Sequence, residues 1–317
     1  MTRTPSTPPL EVTRRNSVIR REVRDGVPVY VKQSQTQDWE ASAAQIRERS
    51  SHEADVLRRI AESGRFHGRL GATDLIASQP EEAIIITREV PGRPLQEFLL
   101  TSYRRDPNQD CLRALLLAGR WLNAFQQLPV CAQDLAPLSE HSPHDHVEYC
   151  AIRLRKLSDL GYRGLNPDAQ QRLLKAVQDG IECSSADDRR HVLCHGDFAA
   201  FNVLWDSHVL TGIDLTQAQT SAPLLDVTYF LHRLELLPIY FPWKHWPVDL
   251  WRRAFLKGYG RPAAAESPMY RALMIRHLLC RLQTYVRRPR AGWRDRLHTP
   301  WVIHHVRRRL LQAIEAN

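Results

Sequence analysis

The sequence predicts an α+β protein with room for two hydrophobic cores, and three observations carry that prediction. Two stretches, residues 18–31 and 203–213, each read as a pair of strand-like runs folding back through a polar turn. Residues 46–62 repeat their apolar side chains at helical spacing, as does the end of the chain. At 317 residues and 43% hydrophobic content, the chain has material for more than one core.

Taken in order, residues 1–16 (MTRTPSTPPLEVTRRN) are rich in Pro, Thr and charge, and a flexible segment is expected over residues 1–15. Val18 to Val23 and Val27 to Val31 flank Asp25-Gly26, a dipeptide suited to a tight hairpin turn. IRERSSHEADVLRRIAE, from Ile46, reads as an amphipathic helix with Ile46, Val56, Leu57 and Ile60 toward the core. Further on, Val192 and Leu193 lead into His195-Gly196-Asp197. Asn202 opens an apolar run, Val203 to Trp205, which turns at Asp206-Ser207-His208 and returns as Val209 to Ile213. With the turn centred near residue 208, antiparallel pairing sets Asn202 close to Asp214. SAPLLDVTYFL, containing Asp226, is a helix candidate. Ile303, Val306, Leu310 and Ile314 mark the buried stripe of a terminal helix that carries Arg307, Arg308 and Arg309.

An amide and a carboxylate at one open end of a hairpin, with Asp197 at the other end of the loop, suit phosphoryl transfer. That reaction demands positioning and charge neutralisation, so it needs oxygen ligands for Mg²⁺ and a base near the acceptor hydroxyl. The string HGDFAAFN keeps the H-x-D-x-x-x-x-N spacing of a catalytic loop that meets those needs.

On these residues the chain resembles the aminoglycoside phosphotransferase and choline kinase-like family, small-molecule kinases with a protein-kinase-like fold. The resemblance runs in order over residues 17 to 235. It implies two lobes, a small β-rich N-lobe and a mostly helical C-lobe: residues 16–92 as N-lobe and hinge, binding nucleotide, and 93–317 as C-lobe, with catalytic loop, metal site and acceptor site. It implies that Lys32, after Val29-Tyr30-Val31, holds the α- and β-phosphates, and that Glu53, rather than Glu48, orients Lys32. Backbone at Glu89 and Val90 would face the purine, Asn202 and Asp214 would bind Mg²⁺, and Asp197 would activate the acceptor. His195 and Asp226 are assigned to holding the loop. ATP is the expected donor by abundance, although the hinge does not choose between ATP and GTP.

The chain also departs from the pattern. No G-x-G-x-x-G precedes Lys32, so the phosphate-covering loop is expected before residue 17, and Leu215-Thr216 stands where protein kinases have Phe-Gly. Eleven residues separate Asp214 from Asp226, which leaves no platform for a docked peptide. The expected activity is therefore ATP-dependent transfer to a hydroxyl of a small molecule or glycan, a sugar of an envelope polysaccharide being one such acceptor. A pseudokinase binding module and an antibiotic-modifying phosphotransferase are the alternatives.

Charge sharpens the acceptor question. Residues 251–317 hold 15 Lys and Arg against three acidic residues, whereas the remainder holds 29 against 32. The excess argues against cationic acceptors and suits anionic ligands or peripheral contact with an anionic membrane surface; nucleic acid is not expected, because no reading motif accompanies it. Tyr240 to Trp246 and Trp251 form an aromatic cluster read chiefly as core, with an acceptor wall as the second reading. His144 and His146 are not expected to bind zinc. Six cysteines without C-x-x-C spacing read as buried thiols in a reducing cytoplasm, and no uninterrupted apolar stretch approaches the roughly 18–20 residues of a membrane span, so a cytoplasmic protein is expected.

Overall fold

The computed structural model describes residues 11–13, 17–35, 42–102, 109–135, 145–288 and 292–315. Asp25 and Gly26, at φ 50° and 77°, turn β2 (Ser17–Arg24) back into β3 (Val27–Ser34), the hairpin expected from that dipeptide. β1 (Glu11–Thr13), β5 (Leu75–Gln79) and β6 (Ile84–Arg88) complete a five-stranded sheet of order β1-β2-β3-β6-β5. Of the amino-terminal segment, residues 11–13 thus pair as a strand. Residues 1–10 and 14–16, where the phosphate-covering loop was expected, lie outside the described residues.

Helix α1 (Ala43–Glu62) begins three residues before the expected start because Ser42 caps it. The Ser42 side chain accepts from Gln45 N–H while the Gln45 side chain accepts from Ser42 N–H. Its buried face carries Ile46, Val56, Leu57 and Ile60, as its spacing predicted. α1 is also tied to the far side of the cleft. Arg59 donates to Asp134 at 2.7 and 2.8 Å, and His52 Nε2 lies 3.1 Å from Ala218 O.

After α1 the chain crosses to the second lobe before returning to the sheet. β4 (Leu70–Gly71) pairs in parallel with β10 (Leu210–Gly212), in a sheet of order β4-β10-β9-β7 completed by β9 (Val203–Trp205) and β7 (Arg93–Pro94). Gly71 permits this approach, since a Cβ there would sit 2.0 Å from Thr211 Oγ1. β8 (Val192–Cys194) pairs with β11 (Gln219–Ser221).

The rest is helical: α2 (Leu95–Ser102), α3 (Gln109–Phe125), α4 (His146–Asp159), α5 (Pro167–Glu182), α6 (Ala186–Arg189), α7 (Leu224–Glu235), α8 (Leu237–Tyr240), α9 (Val248–Tyr259), α10 (Pro268–Arg287) and α11 (Trp293–Glu315). One core joins α3, α7 and α9 through Trp121, Leu122, Phe125, Phe230 and Phe255. A second joins α4, α5, α10 and α11 through Leu154, Leu173, Leu279, Val306 and Leu310. Each such side chain contributes about 1.5–3 kcal/mol on full burial.

Much of the basic excess is engaged inside the fold. Arg261 pairs with Asp188 at 2.6 Å, Arg307 donates to Gly164 O at 2.6 Å, Arg309 contacts Glu235, and buried Arg276 lies over the Tyr149 ring at 3.8 Å. His146 is buried and faces Arg276 at 2.6 Å, an unsuitable neighbour for a metal cation; His144 lies outside the described residues. Cys111, Cys150 and Cys194 are buried as expected, but Cys183 is exposed and Cys131 and Cys280 are half-buried. Among the described residues no helix is long and apolar enough to cross a membrane.

Candidate active site

The loop from His195 to Asn202 is held from beneath. Asp226, fully buried near the start of α7, accepts from His195 N–H at 2.7 Å and Gly196 N–H at 2.9 Å. Burial pushes its carboxyl up to about 6 despite those two donors. Gly196 sits at φ 81°, where a Cβ would fall 2.0 Å from Gln217 O, so only glycine fits this corner. Phe198 is stacked between Trp121 (5.5 Å) and Phe230 (5.4 Å), which fixes the residue next to Asp197. His195 is buried among Trp121, Phe125 and Phe198, and its Nε2 lies 3.0 Å from Ile213 O. Burial holds it at about 4, a neutral ring serving structure.

The hairpin after the loop is in a different register from the one expected. β9 and β10 pair Trp205 with Leu210 and Val203 with Gly212, so Asn202 faces Ile213, whose N–H donates to Asn202 O at 2.9 Å. The turn is centred half a residue earlier because Asp206 Oδ1 accepts from both His208 N–H and Val209 N–H while Ser207 takes φ 82°. Asp214 lies one step past the paired residues, at φ 66°. That left-handed residue turns its carboxylate toward the small lobe.

There it meets Lys32. The ammonium is 2.6 Å from Asp214 Oδ1, 3.0 Å from both Glu53 oxygens and 2.6 Å from Thr216 Oγ1. Burial alone would lower the lysine, but Glu53 and Asp214 hold it above its ordinary value. Asp214 is likewise opposed by burial and is drawn down to about 2 by Lys32 and the Thr216 hydroxyl. Glu53 is 4% exposed and also accepts from Leu215 N–H at 3.2 Å. The structure brings together Lys32, Glu53 and Asp214, and adds Thr216, which the sequence reading had left without a role.

Asp197 stands across the loop. Asn202 Nδ2 donates to its backbone oxygen and to Oδ2, both at 2.9 Å, which turns the Asn202 amide oxygen away from it. Burial pushes the Asp197 carboxyl up to about 6; Tyr229, hydrogen bonded to it, and Arg233 pull the other way. Tyr229 and Arg233 lie one turn apart on α7 and were missed. Their signal was an i, i+4 pair three and seven residues past Asp226, visible only once that helix is placed against the loop.

The hinge is partly engaged. Glu89 N–H donates to Pro28 O at 2.9 Å, and its side chain is bound by Arg21 at 2.8 and 2.9 Å. The N–H and the side chain of Glu89 are thus both engaged within the small lobe.

A cleft of about 810 Å³ opens beside the loop, bounded by Ala200, Arg233, Tyr240, Phe241, Trp243 and Trp301 among others. The aromatic cluster is thus divided: Trp246 and Trp251 are core, whereas Tyr240, Phe241 and Trp243 line the cleft. Asn202 and Asp214 supply hard oxygen donors suited to a divalent cation such as Mg²⁺.

Comparison with known proteins gives a family and a fold. The sequence profile of the phosphotransferase enzyme family matches residues 8–273. No curated protein sequence matches. Among solved structures, a choline/ethanolamine kinase family protein from Mesorhizobium loti superimposes with TM-score 0.58 at 13% identity, covering 98% of this chain and 94% of that one. An amicoumacin kinase solved with AMP-PNP and Ca²⁺ gives 0.59 at 13% identity, covering 96% and 89%. A macrolide 2′-phosphotransferase from Brachybacterium faecium gives 0.55 at 14% identity, covering 96% and 90%. These likenesses show a kinase-like fold.

Proposed function

Since the chain belongs to the phosphotransferase enzyme family, we propose that it moves the γ-phosphate of a nucleoside triphosphate, ATP first with GTP retained, to a hydroxyl of a small molecule or glycan. The observation that carries this reading is the pairing of two unlike carboxylates across one loop. Asp214 is held ionised beside Lys32, while Asp197 is raised to about 6 in the loop whose Ala200 lines the open cleft.

In this reading Lys32, oriented by Glu53, holds the α- and β-phosphates, and the hinge backbone at Glu89 and Val90 meets the base. Asn202 and Asp214 would hold Mg²⁺, which when bound neutralises phosphate charge. Asp197 orients the acceptor hydroxyl and takes its proton as the new P–O bond forms. The bond to the β,γ-bridging oxygen breaks, and the nucleoside diphosphate leaves. A sugar hydroxyl, an envelope sugar included, satisfies this chemistry. A second reading, an antibiotic-modifying phosphotransferase, is favoured by the amicoumacin and macrolide kinases among the structural neighbours. Retention of Lys32, Glu53, Asp197, Asn202 and Asp214 together speaks against a pseudokinase.

The test is transfer from γ-³²P-ATP with Mg²⁺ into fractionated cell extract, comparing wild type with Asp197→Asn. A labelled product made by wild type alone is expected; equal labelling by the variant would overturn the role of Asp197. Growth of a sensitive bacterium expressing the protein on aminoglycosides and macrolides tests the second reading.

A further inference from the structure

The cleft beside the catalytic loop has a chemistry of its own. Of the sixteen described residues that line it, twelve are apolar or aromatic, among them Leu234, Leu237, Ile239, Tyr240, Phe241 and Tyr285. The carboxylate among them, Asp295, is paired with Arg288 at 3.1 Å. The cation on the wall, Arg233, lies over the Phe201 ring at 5.1 Å on the Asp197 side. The rim carries Trp243, Leu297 and Trp301, which are 75%, 69% and 43% exposed. Large apolar side chains gathered at the mouth of one apolar cleft mark a surface that a ligand covers. Among the described lining residues a polycation would lose hydration without gaining a free carboxylate and would meet Arg233, whereas an apolar body would displace water from Trp, Leu and Ile.

We propose that the acceptor is a hydroxyl-bearing amphiphile, uncharged or anionic, taken up as a free monomer with its apolar body in this cleft and its hydroxyl at Asp197. The inference rests on the phosphotransfer reading above for the word acceptor, and on the cleft alone for the ligand's chemistry. Arg233 then acts as the charge filter, and Trp243 and Leu297 close over the apolar body.

The experiment is direct binding to the intact protein without nucleotide, read by tryptophan fluorescence and calorimetry. The probes are n-octyl glucoside below its micelle concentration, n-octyl glucuronide, and kanamycin. Saturable binding of both octyl glycosides is expected, with kanamycin at least tenfold weaker. The double variant Trp243→Ala/Leu297→Ser, at exposed positions the fold does not need, should weaken the octyl glycosides about tenfold or more. Arg233→Glu should shift preference toward kanamycin, which a purely structural arginine would not do. Kanamycin binding as tightly as the glycosides, unchanged affinity in the rim variant, or uptake only from lipid vesicles would overturn the inference. Asp197→Asn separates the two readings, since it should still bind octyl glucoside saturably while phosphate transfer falls roughly 10²- to 10⁴-fold. Binding without transfer by the wild type would remove the phosphotransfer reading and leave the ligand class standing.

Discussion

The hydroxyl of Thr216 lies 2.6 Å from the ammonium of Lys32, nearer than either oxygen of Glu53 at 3.0 Å. Its oxygen is also 2.9 Å from Glu53 and 2.8 Å from Asp214. It accepts from the lysine and donates its one proton to a carboxylate, so it adds a neutral link to three charged groups that also pair directly. Thr216→Val keeps the shape and removes the link. We expect a stability loss of about 1 kcal/mol and weaker nucleotide binding. A double-mutant cycle with Glu53→Gln, followed by urea melts, should show strong coupling, and additive effects would argue that the hydroxyl acts alone.

Under the proposed function, Asp197 sets the pH dependence. A base must be ionised to accept a proton, and Asp197 titrates near 6. kcat/KM should therefore be flat above about pH 7 and fall below 6. Because the hydrogen bond from Tyr229 favours the ionised form, Tyr229→Phe should move this acidic limb to higher pH. A limb that stays in place would show that Tyr229 does not tune the base. Asp197→Asn should spare nucleotide binding and lower turnover roughly 10²- to 10⁴-fold.

Lys32 is enclosed by two carboxylates. Lys32→Met leaves Glu53 buried without its cation, and breaking such a pair costs about 3 kcal/mol. Calorimetry should show the lower melting temperature, and nucleotide affinity should fall in parallel. Asp214→Ala should instead abolish metal-dependent nucleotide binding, measured by titration with and without Mg²⁺; unchanged Mg²⁺ dependence would remove Asp214 from the metal site.

Acid should loosen the large lobe before it protonates most surface carboxylates. Burial holds His195 at about 4, His277 at about 3 and His232 well below its ordinary value. The unfolded chain binds protons that these folded histidines refuse, so their contribution is complete above pH 6.5 and is lost as pH falls toward 4. Asp197 and Asp226, raised to about 6, act in the opposite sense between pH 6 and 4. The net is a loss on the order of 3 kcal/mol between pH 7 and 5. Urea midpoints at pH 7, 6 and 5 should fall accordingly, and a constant midpoint would mean that the histidines already carry protons in the fold.

The parts of the site that follow one another along the chain were legible in the sequence. HGDFAAFN declares its loop by spacing, and Lys32 and Glu53 sit on a strand and a helix whose patterns are strong. What escaped depends on contacts between distant segments. Tyr229 and Arg233 look like ordinary helix residues until α7 is laid against the loop. Thr216 looked like a departure from a motif, and its worth lies in Lys32, 184 residues away. The hairpin register shifted because two side-chain bonds from Asp206 reshaped a turn that apolar spacing alone placed slightly late. The aromatic cluster was read as one unit, whereas burial divides it at Trp246.

Finally, the ties from α1 to the far lobe make that helix a fixed jaw. Arg59 is bolted to Asp134, His52 reaches Ala218, and Glu53 reaches Leu215. These ties hold the helix where Glu53 sits 3.0 Å from Lys32, so swinging it outward would break all of them at once. Under the proposed function, a glutamate so placed would come to nucleotide already facing its lysine.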